Sequence, residues 1–131
     1  MAFPEDLKSL YVVAGATTDE IFLGTKAEIP TEEGPYVSIV ETPSFGPEFV
    51  QETTLPCYVY PGAQVMVRAS TRPIASARAR LCWNASFVWN RSINGVWYRS
   101  LKATQEPWDY GLDDTGRIVY LFNVRAEKSP S

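Results

Sequence analysis

Apolar residues recur along the chain at two spacings, and each spacing predicts a different kind of element. Residues 4–14 carry Leu7, Leu10 and Tyr11 at helical spacing behind a first-turn proline and two acids, which predicts a short N-terminal helix. The runs 20–26 and 36–41 are rich in β-branched and aromatic residues and predict a first pair of strands. Apolar and polar side chains alternate over residues 64–70, which predicts a strand with one buried face.

A second, longer helix is predicted to follow that strand and to run to about Trp89. Ser70 or Thr71 can cap its N-terminus, and Pro73 suits an early helical position. One stripe at helical spacing is expected to lie on the sheet, and Trp83 and Phe87 lie away from it. The members of the stripe are Ile74, Ala77, Leu81, Ala85 and Val88.

The rest of the chain reads as β-structure. Asn94-Gly95 is a strong hairpin signal, and residues 117–127 alternate cleanly and predict a final strand. The order of elements predicts an α+β fold, in which one long helix packs on a mostly antiparallel or mixed sheet and a short helix precedes it. We expect one domain over residues 1–131, with a loose tail at 127–131.

The segment 42–61 holds four prolines and four aromatic residues and is predicted to be an irregular loop. A loop of this length in a small domain usually has a function, so Phe45 and Phe49 are candidates for a docking arm. Alternatively, the loop folds back and the same two rings cap the core. The sequence leaves both possibilities open.

Composition narrows the function further. The 131 residues carry a net charge of −3 and no histidine, which excludes catalytic and metal sites that depend on imidazole. Cys57 and Cys82 lie among apolar residues and are expected to be reduced core thiols. No apolar run is long enough to span a bilayer and the N-terminal region is acidic, so we expect a cytosolic protein without a membrane partner.

The triplet Asp114-Thr115-Gly116 matches the catalytic loop of aspartic proteases, but a three-residue match is weak evidence. Too little chain follows it for the rest of such an enzyme, and the spacing of acids fails the pattern of a calcium loop. We therefore interpret Asp113 and Asp114 as turn residues and predict no catalytic residue, metal or cofactor. Trp108 and Tyr110 nevertheless suggest that this loop meets a partner.

The second helix provides the main argument for a subunit contact. Arg72, Arg78 and Arg80 lie in its first half, where the helix dipole favours acids, and its second half is apolar on two sides. A contact with another copy would cover Trp83 and Phe87, whereas in the alternative the segment 42–61 covers them. One hypothesis is a head-to-tail contact between these arginines and an acidic surface on the next copy, formed by Asp109, Asp113 and Asp114.

Three blocks of the sequence resemble the tail terminator, or minor capsid, proteins of long-tailed bacteriophages. They are "GPYVSIVETP", "YPGAQVMVRASTRPIASARARLCWN" and "LKATQEPWDYGLDDTGRIVYLFNVRAE", and they cover roughly residues 34–128. The resemblance implies a small α+β subunit that forms a hexameric ring at the head-proximal end of the tail tube.

The resemblance also implies partners and a location. They are further copies of the chain, the tail tube protein and the head-tail connector or stopper, in a virion assembled in the host cytoplasm. DNA would pass through the ring only as non-specific cargo, which the acidic balance suits. A head-completion protein of the same virion and a dimeric aspartic protease using Asp114 are the alternatives.

Overall fold

The structure, a computed structural model, describes residues 3–13, 21–23, 36–49, 56–112 and 116–129. These ranges contain two helices and seven strands. In chain order they are α1 (Phe3–Val13), β1 (Ile21–Leu23), β2 (Tyr36–Phe49), β3 (Pro56–Ala69), α2 (Arg72–Ala85), β4 (Phe87–Ile93), β5 (Val96–Ala103), β6 (Trp108–Leu112) and β7 (Ile118–Lys128).

The strands form one mixed sheet in the order β1-β2-β3-β7-β5-β4, and β6 pairs with β7 beyond the end of β5. Every pairing is antiparallel except that of β1 with β2. The prediction of an α+β fold with a mostly antiparallel, mixed sheet is confirmed. Within the described ranges, β4 is an edge strand that pairs only with β5.

Both helices lie on one face of the sheet and share a single apolar core with it. The alternation predicted for β3 is present, since Ala63, Val65, Val67 and Ala69 are fully buried. Burial of each valine side chain in this row contributes about 1.5–3 kcal/mol relative to an exposed one. The inner row of β7 meets the same residues across the strand pair, with Phe122 opposite Val65 and Val124 opposite Ala63.

Buried polar groups fasten α1 to the rest of the core. The Asp6 carboxyl is buried and accepts hydrogen bonds from the Tyr98 hydroxyl and from Asn94 Nδ2, the latter at 2.9 Å. Tyr11 Oη and Ser86 Oγ lie 2.7 Å apart in a second buried hydrogen bond. Burial, which disfavours the phenolate, raises the pKa of Tyr11 and of Tyr98 well above the ordinary value for tyrosine.

The second helix is shorter than predicted and presents a different face. It ends at Ala85, and Val88 lies in β4 opposite Leu101. The buried positions are Ala75, Ala79 and Cys82, whereas Ile74 and Leu81 of the predicted stripe are 40% and 45% exposed. The predicted stripe was therefore wrong in phase, because the helix places its small side chains on the sheet, which allows a close approach.

Local chemistry explains where α2 ends. The Ser86 amide donates to the Trp83 carbonyl at 3.0 Å, and Ser86 Oγ lies 2.8 Å from the Cys82 carbonyl oxygen. These bonds satisfy carbonyls of the last turn. The residues that follow, Phe87–Ile93, include β-branched and aromatic side chains that favour a strand.

The prediction of an irregular loop over residues 42–61 is wrong for its described part. β2 continues to Phe49 and pairs with β3 from Pro56 onward, so the two strands form a long ribbon. Register shifts in this pairing fall between Thr42 and Phe45 and between Phe45 and Glu48, which is where Pro43 and Pro47 lie. Bulged positions tolerate proline because they need no ladder hydrogen bond, so the prolines do not break the strand.

Two smaller expectations also change. The segment with Trp108 and Tyr110, which was predicted to be part of a loop, forms β6 and extends the sheet beside β7. Glu127 and Lys128 belong to β7 rather than to a loose tail, and Glu127 pairs with Arg99. The hairpin prediction at Asn94-Gly95 is confirmed, with φ of 52° and 79° as a tight turn between antiparallel strands requires.

Candidate subunit and partner interface

The arginines of α2 meet acids of their own chain. Arg72 forms an ion pair with Asp109 of β6, and Arg80 Nη1 lies 3.2 Å from Glu106 Oε1. The Arg80 guanidinium also lies 4.9 Å from the centre of the Trp83 ring. These exposed ion pairs each contribute about 0–1 kcal/mol, so they orient the β5–β6 connection against the helix rather than hold the fold together.

This arrangement removes one reason for the head-to-tail hypothesis. Arg72 and Arg80 pair within the chain, so neither needs an acid from a second copy. Arg78 is half-buried on the same helix, and Asp113 and Asp114 lie outside the described residues. The head-to-tail contact stays a prediction that now depends on positions other than these two ion pairs.

An aromatic ladder runs from the end of α2 onto the edge strand β4. We define it as Trp83, Phe87 and Trp89. The rings of Trp83 and Phe87 are 4.9 Å apart at 80°, and those of Phe87 and Trp89 are 6.3 Å apart at 21°. Trp83 Nε1 donates to the Gln105 carbonyl at 2.9 Å, which fixes the first ring, while Trp89 at the other end is 60% exposed. The ladder leaves a large apolar ring in solvent at the sheet edge.

Trp97 belongs to the same region, since it lies on β5 opposite Ser92 of β4 and is 44% exposed. Neither Trp89 nor Trp97 was among the sequence candidates, and Trp89 was assigned to the end of the predicted helix. Trp97 lies between Val96 and Tyr98, which are both buried, and this alternation in the sequence could have identified its side chain as exposed.

A second exposed group, the β6 patch, consists of Trp108, Tyr110 and Leu112. Their exposed fractions are 37%, 64% and 61%. Trp108 and Tyr110 were predicted to meet a partner, and the structure places them together on β6, which has its only described strand partner in β7. Leu112 was missed because the segment was read as a polar turn.

The remaining apolar candidates lie elsewhere. Ile74 and Leu81 are two helical turns apart on the exposed side of α2. Phe45 and Phe49 lie in β2, and their side chains lie outside the described part of the chain. The described part of the chain therefore exposes large apolar side chains in several separate places, and Val12 and Val13 of α1 form one more of them.

Three observations on the described ranges concern metals, thiols and membranes. In these ranges no three His, Cys, Asp or Glu side chains come together as a metal site. Cys82 is a buried free thiol. No helix among the described elements has the length and apolarity to cross a bilayer. Asp114 and Thr115 of the triplet lie outside the described residues, whereas Gly116 lies within them.

Comparison with known proteins gives matches of two kinds. The sequence model of a family described as bacteriophage tail terminator protein matches residues 6–129. A solved structure titled "Virion of native gene transfer agent (GTA) particle" contains a chain with a similar fold, at a TM-score of 0.62 and 14% identity. The alignment covers 95% of this chain and 90% of that one. A search of curated proteins finds no match.

Proposed function

The chain belongs to the bacteriophage tail terminator family, and from that membership we propose that it forms a ring, of six copies, that ends growth of the tail tube. The family is one of structural tail proteins, so this chain is a structural component of a phage-like virion. The observation that carries the proposal is the family match, which spans residues 6–129 and thus nearly the whole chain.

The exposed apolar surfaces support assembly. A ring is built from heterologous contacts, in which one surface of each copy meets a different surface of the next. The aromatic ladder with Trp97 and the β6 patch are two such surfaces, and both are rich in the aromatic residues that dominate interface cores. We propose that the ladder of one copy packs on the β6 patch of its neighbour.

The two faces of such a ring would meet different partners. One face binds the last ring of tail tube protein, and the other binds the connector or stopper on the head, at the head-proximal end of the tail. DNA passes through the opening. The exposed side of α2, with Ile74 and Leu81, is a further surface available to one of these partners.

The proposed ring is tested by measuring the mass of the particles that the protein forms in solution. Light scattering over a concentration series, with negative-stain images of the same sample, is expected to show a ring of six copies. Trp89→Ser and Tyr110→Ser each remove a large exposed side chain from one of the two proposed surfaces and are expected to shift the population to monomers. Val13→Ser is the matched control, because Val13 is 75% exposed at the end of α1 and is a member of neither surface.

The variants also test which contact is used. If the ladder packs on the β6 patch, Trp89→Ser and Tyr110→Ser disrupt the same interface, so the double variant is no more dissociated than the worse single variant. A ring that survives both substitutions would refute this pairing of surfaces. A stable dimer at all concentrations would contradict the ring itself.

A further inference from the structure

The turn between β4 and β5 carries an Asn-Gly pair, the dipeptide in which asparagine loses its amide most easily. Gly95 follows Asn94, whereas every other asparagine precedes a residue with a side chain; these are Asn84, Asn90 and Asn123. The nitrogen of Gly95 is unhindered, since no atom lies within 4 Å of the place where a Cβ would stand. Both residues of the turn are exposed to water. The pair therefore meets the steric requirements of deamidation.

The side-chain amide of Asn94 is held by α1. Asn94 Nδ2 donates to Asp6 Oδ1 at 2.9 Å and to Ser9 Oγ at 3.0 Å. A carboxylate only accepts hydrogen bonds, so the atom of Asn94 that faces Asp6 is the amide nitrogen. These bonds hinder rotation of Cγ toward the nitrogen of Gly95. They add to the restraint of the turn itself, in which φ is 52° at Asn94 and 79° at Gly95.

The reaction of such a pair needs only water. The backbone nitrogen of Gly95 gives its proton to water and attacks Cγ of Asn94, which forms an N–Cγ bond. The Cγ–Nδ2 bond then breaks, and Nδ2 takes a proton from water and leaves as ammonia, so that a cyclic imide remains. Water adds to either imide carbonyl and breaks its bond to nitrogen. Addition at Cγ gives aspartate, and addition at the main-chain carbonyl gives isoaspartate, which lengthens the backbone of the turn.

We propose that Asn94-Gly95 is a self-modifying site that α1 controls. While α1 is docked, its bonds to the amide keep the reaction slow. When α1 opens locally, the amide is released and is converted to a carboxylate. That carboxylate replaces an Nδ2 that lies 2.9 Å from Asp6 Oδ1, and it has no proton to donate. Like charges at such a distance repel, so the modified chain holds α1 less tightly.

The consequence is a one-way weakening of the contact between α1 and the hairpin. Ammonia is lost, so each opening of α1 adds to the modified fraction of the protein. The helix covers part of the apolar core with Leu7, Leu10 and Tyr11, and modified chains expose that core more often. The inference is independent of the proposed function, because Asn94 belongs to neither of the surfaces assigned to the ring.

The first test follows conversion of Asn94 by peptide mass spectrometry, in protein kept at constant temperature and mildly alkaline pH. The same protein in guanidinium chloride gives the rate of the unrestrained pair. The folded wild type is expected to convert at least about tenfold more slowly, because two hydrogen bonds hold the amide. Ser9→Ala removes one acceptor and is expected to raise the rate in the folded protein about fivefold. Val12→Ala, at an exposed position of the same helix, is the matched control and should convert as the wild type does.

Two outcomes of this test would overturn the proposal. Equal rates in folded and unfolded wild-type protein would show that the fold does not protect Asn94. Equal rates in folded Ser9→Ala and Val12→Ala would show that α1 does not control the reaction. All three chains should convert at one rate when unfolded, which assigns any difference between them to the folded state.

The second test measures what the new carboxylate does to α1. Asn94→Asp carries the charge of the product, whereas Asn94→Gly removes the amide without adding charge, and both sequences suit the turn. Asn94→Asp is expected to melt about 3–5 °C below Asn94→Gly. Its α1 amides should exchange hydrogen severalfold faster, while those of β3 exchange as in Asn94→Gly. Equal melting temperatures and equal exchange in α1 would overturn the claim that the modification loosens the helix.

Discussion

Removing the buried carboxyl of Asp6 is predicted to destabilise the protein by about 2–4 kcal/mol. Asp6 is fully buried and accepts hydrogen bonds from the Tyr98 hydroxyl and from Asn94 Nδ2. In Asp6→Ala the fully buried Tyr98 hydroxyl loses its acceptor, which costs about 1–3 kcal/mol. The bond from Asn94 adds about 0.5–1.5 kcal/mol, a smaller loss because Asn94 is exposed and can turn to water.

A double-mutant cycle isolates this contact. Tyr98→Phe alone removes the donor, whereas Asp6→Ala with Tyr98→Phe leaves no orphaned hydroxyl at that point. The double variant is therefore expected to lose about 1–2 kcal/mol less than the sum of the two single losses. Glu5→Ala is the control for a first-turn acid of α1, and is expected to cost less than about 1 kcal/mol.

The assay is urea unfolding of each variant, followed by tryptophan fluorescence. The variants can be compared only if the free energy of unfolding depends on urea concentration with the same slope in each. Strictly additive losses would show that Asp6 and Tyr98 do not interact. A loss in Asp6→Ala no larger than in Glu5→Ala would show that Asp6 acts only through the helix dipole. Either result would refute the assignment of Asp6 as the polar link between α1 and the β4–β5 hairpin.

Three further predictions test the fold. Ala79→Leu overfills the fully buried helix–sheet contact and is expected to lower the free energy of unfolding by about 1–3 kcal/mol, measured in urea. Ala77→Leu on the exposed side of α2 is the control and should be nearly neutral. Equal losses in the two variants would contradict the assignment of Ala79 to the buried face. The pKa of Tyr11 and of Tyr98 is raised in the folded protein, so as the pH rises these tyrosines lose their protons in the unfolded chain before they do in the folded one. The free energy of unfolding should therefore be constant below about pH 10 and fall above it, by up to about 1.4 kcal/mol per pH unit for each tyrosine. Tyr11→Phe should reduce the fall in the free energy of unfolding with pH, measured by urea unfolding at several pH values. An unchanged fall would contradict the contribution of Tyr11. Gly95→Ala forces a side chain into φ of 79° and is expected to lower stability by about 1–2 kcal/mol, measured by thermal unfolding, whereas a gain would contradict the turn assignment.

The parts of the fold that the sequence predicts well are those in which one pattern dominates. The alternation in β3 and β7 and the Asn94-Gly95 turn fix strands and a hairpin locally, and the family resemblance agrees with the matched model. These features need no knowledge of distant neighbours.

The errors have a common physical origin in tertiary context. The phase of α2 depends on whether large or small side chains face the sheet, and Ala75, Ala79 and Cys82 lie inward because the helix packs closely. The ribbon at 42–61 depends on bulges that accommodate proline, and bulges are set by the partner strand. Neither choice is encoded in the hydrophobicity of the segment alone.

The sequence identified several of the residues on these surfaces, and their role in an interface stays a prediction. Trp83, Phe87, Trp108 and Tyr110 were candidates from the sequence. In the structure Trp108 and Tyr110 are exposed, and Trp83 and Phe87 are half-buried and in ring contact. The pairing of Arg72 with Asp109 and of Arg80 with Glu106 could not be predicted, because it depends on the β5–β6 connection and the start of β6 lying beside α2.

The central claim, that this chain ends growth of the tail tube, is tested most directly by measuring the length of tail tubes. The tube protein of the same virion would be polymerised with and without this chain, and tube lengths would be measured in electron micrographs. The account predicts that tubes given the chain stop growing and carry an added ring of density at one end, while untreated tubes continue to lengthen. Tubes that lengthen equally in both samples, with no density at either end, would contradict it.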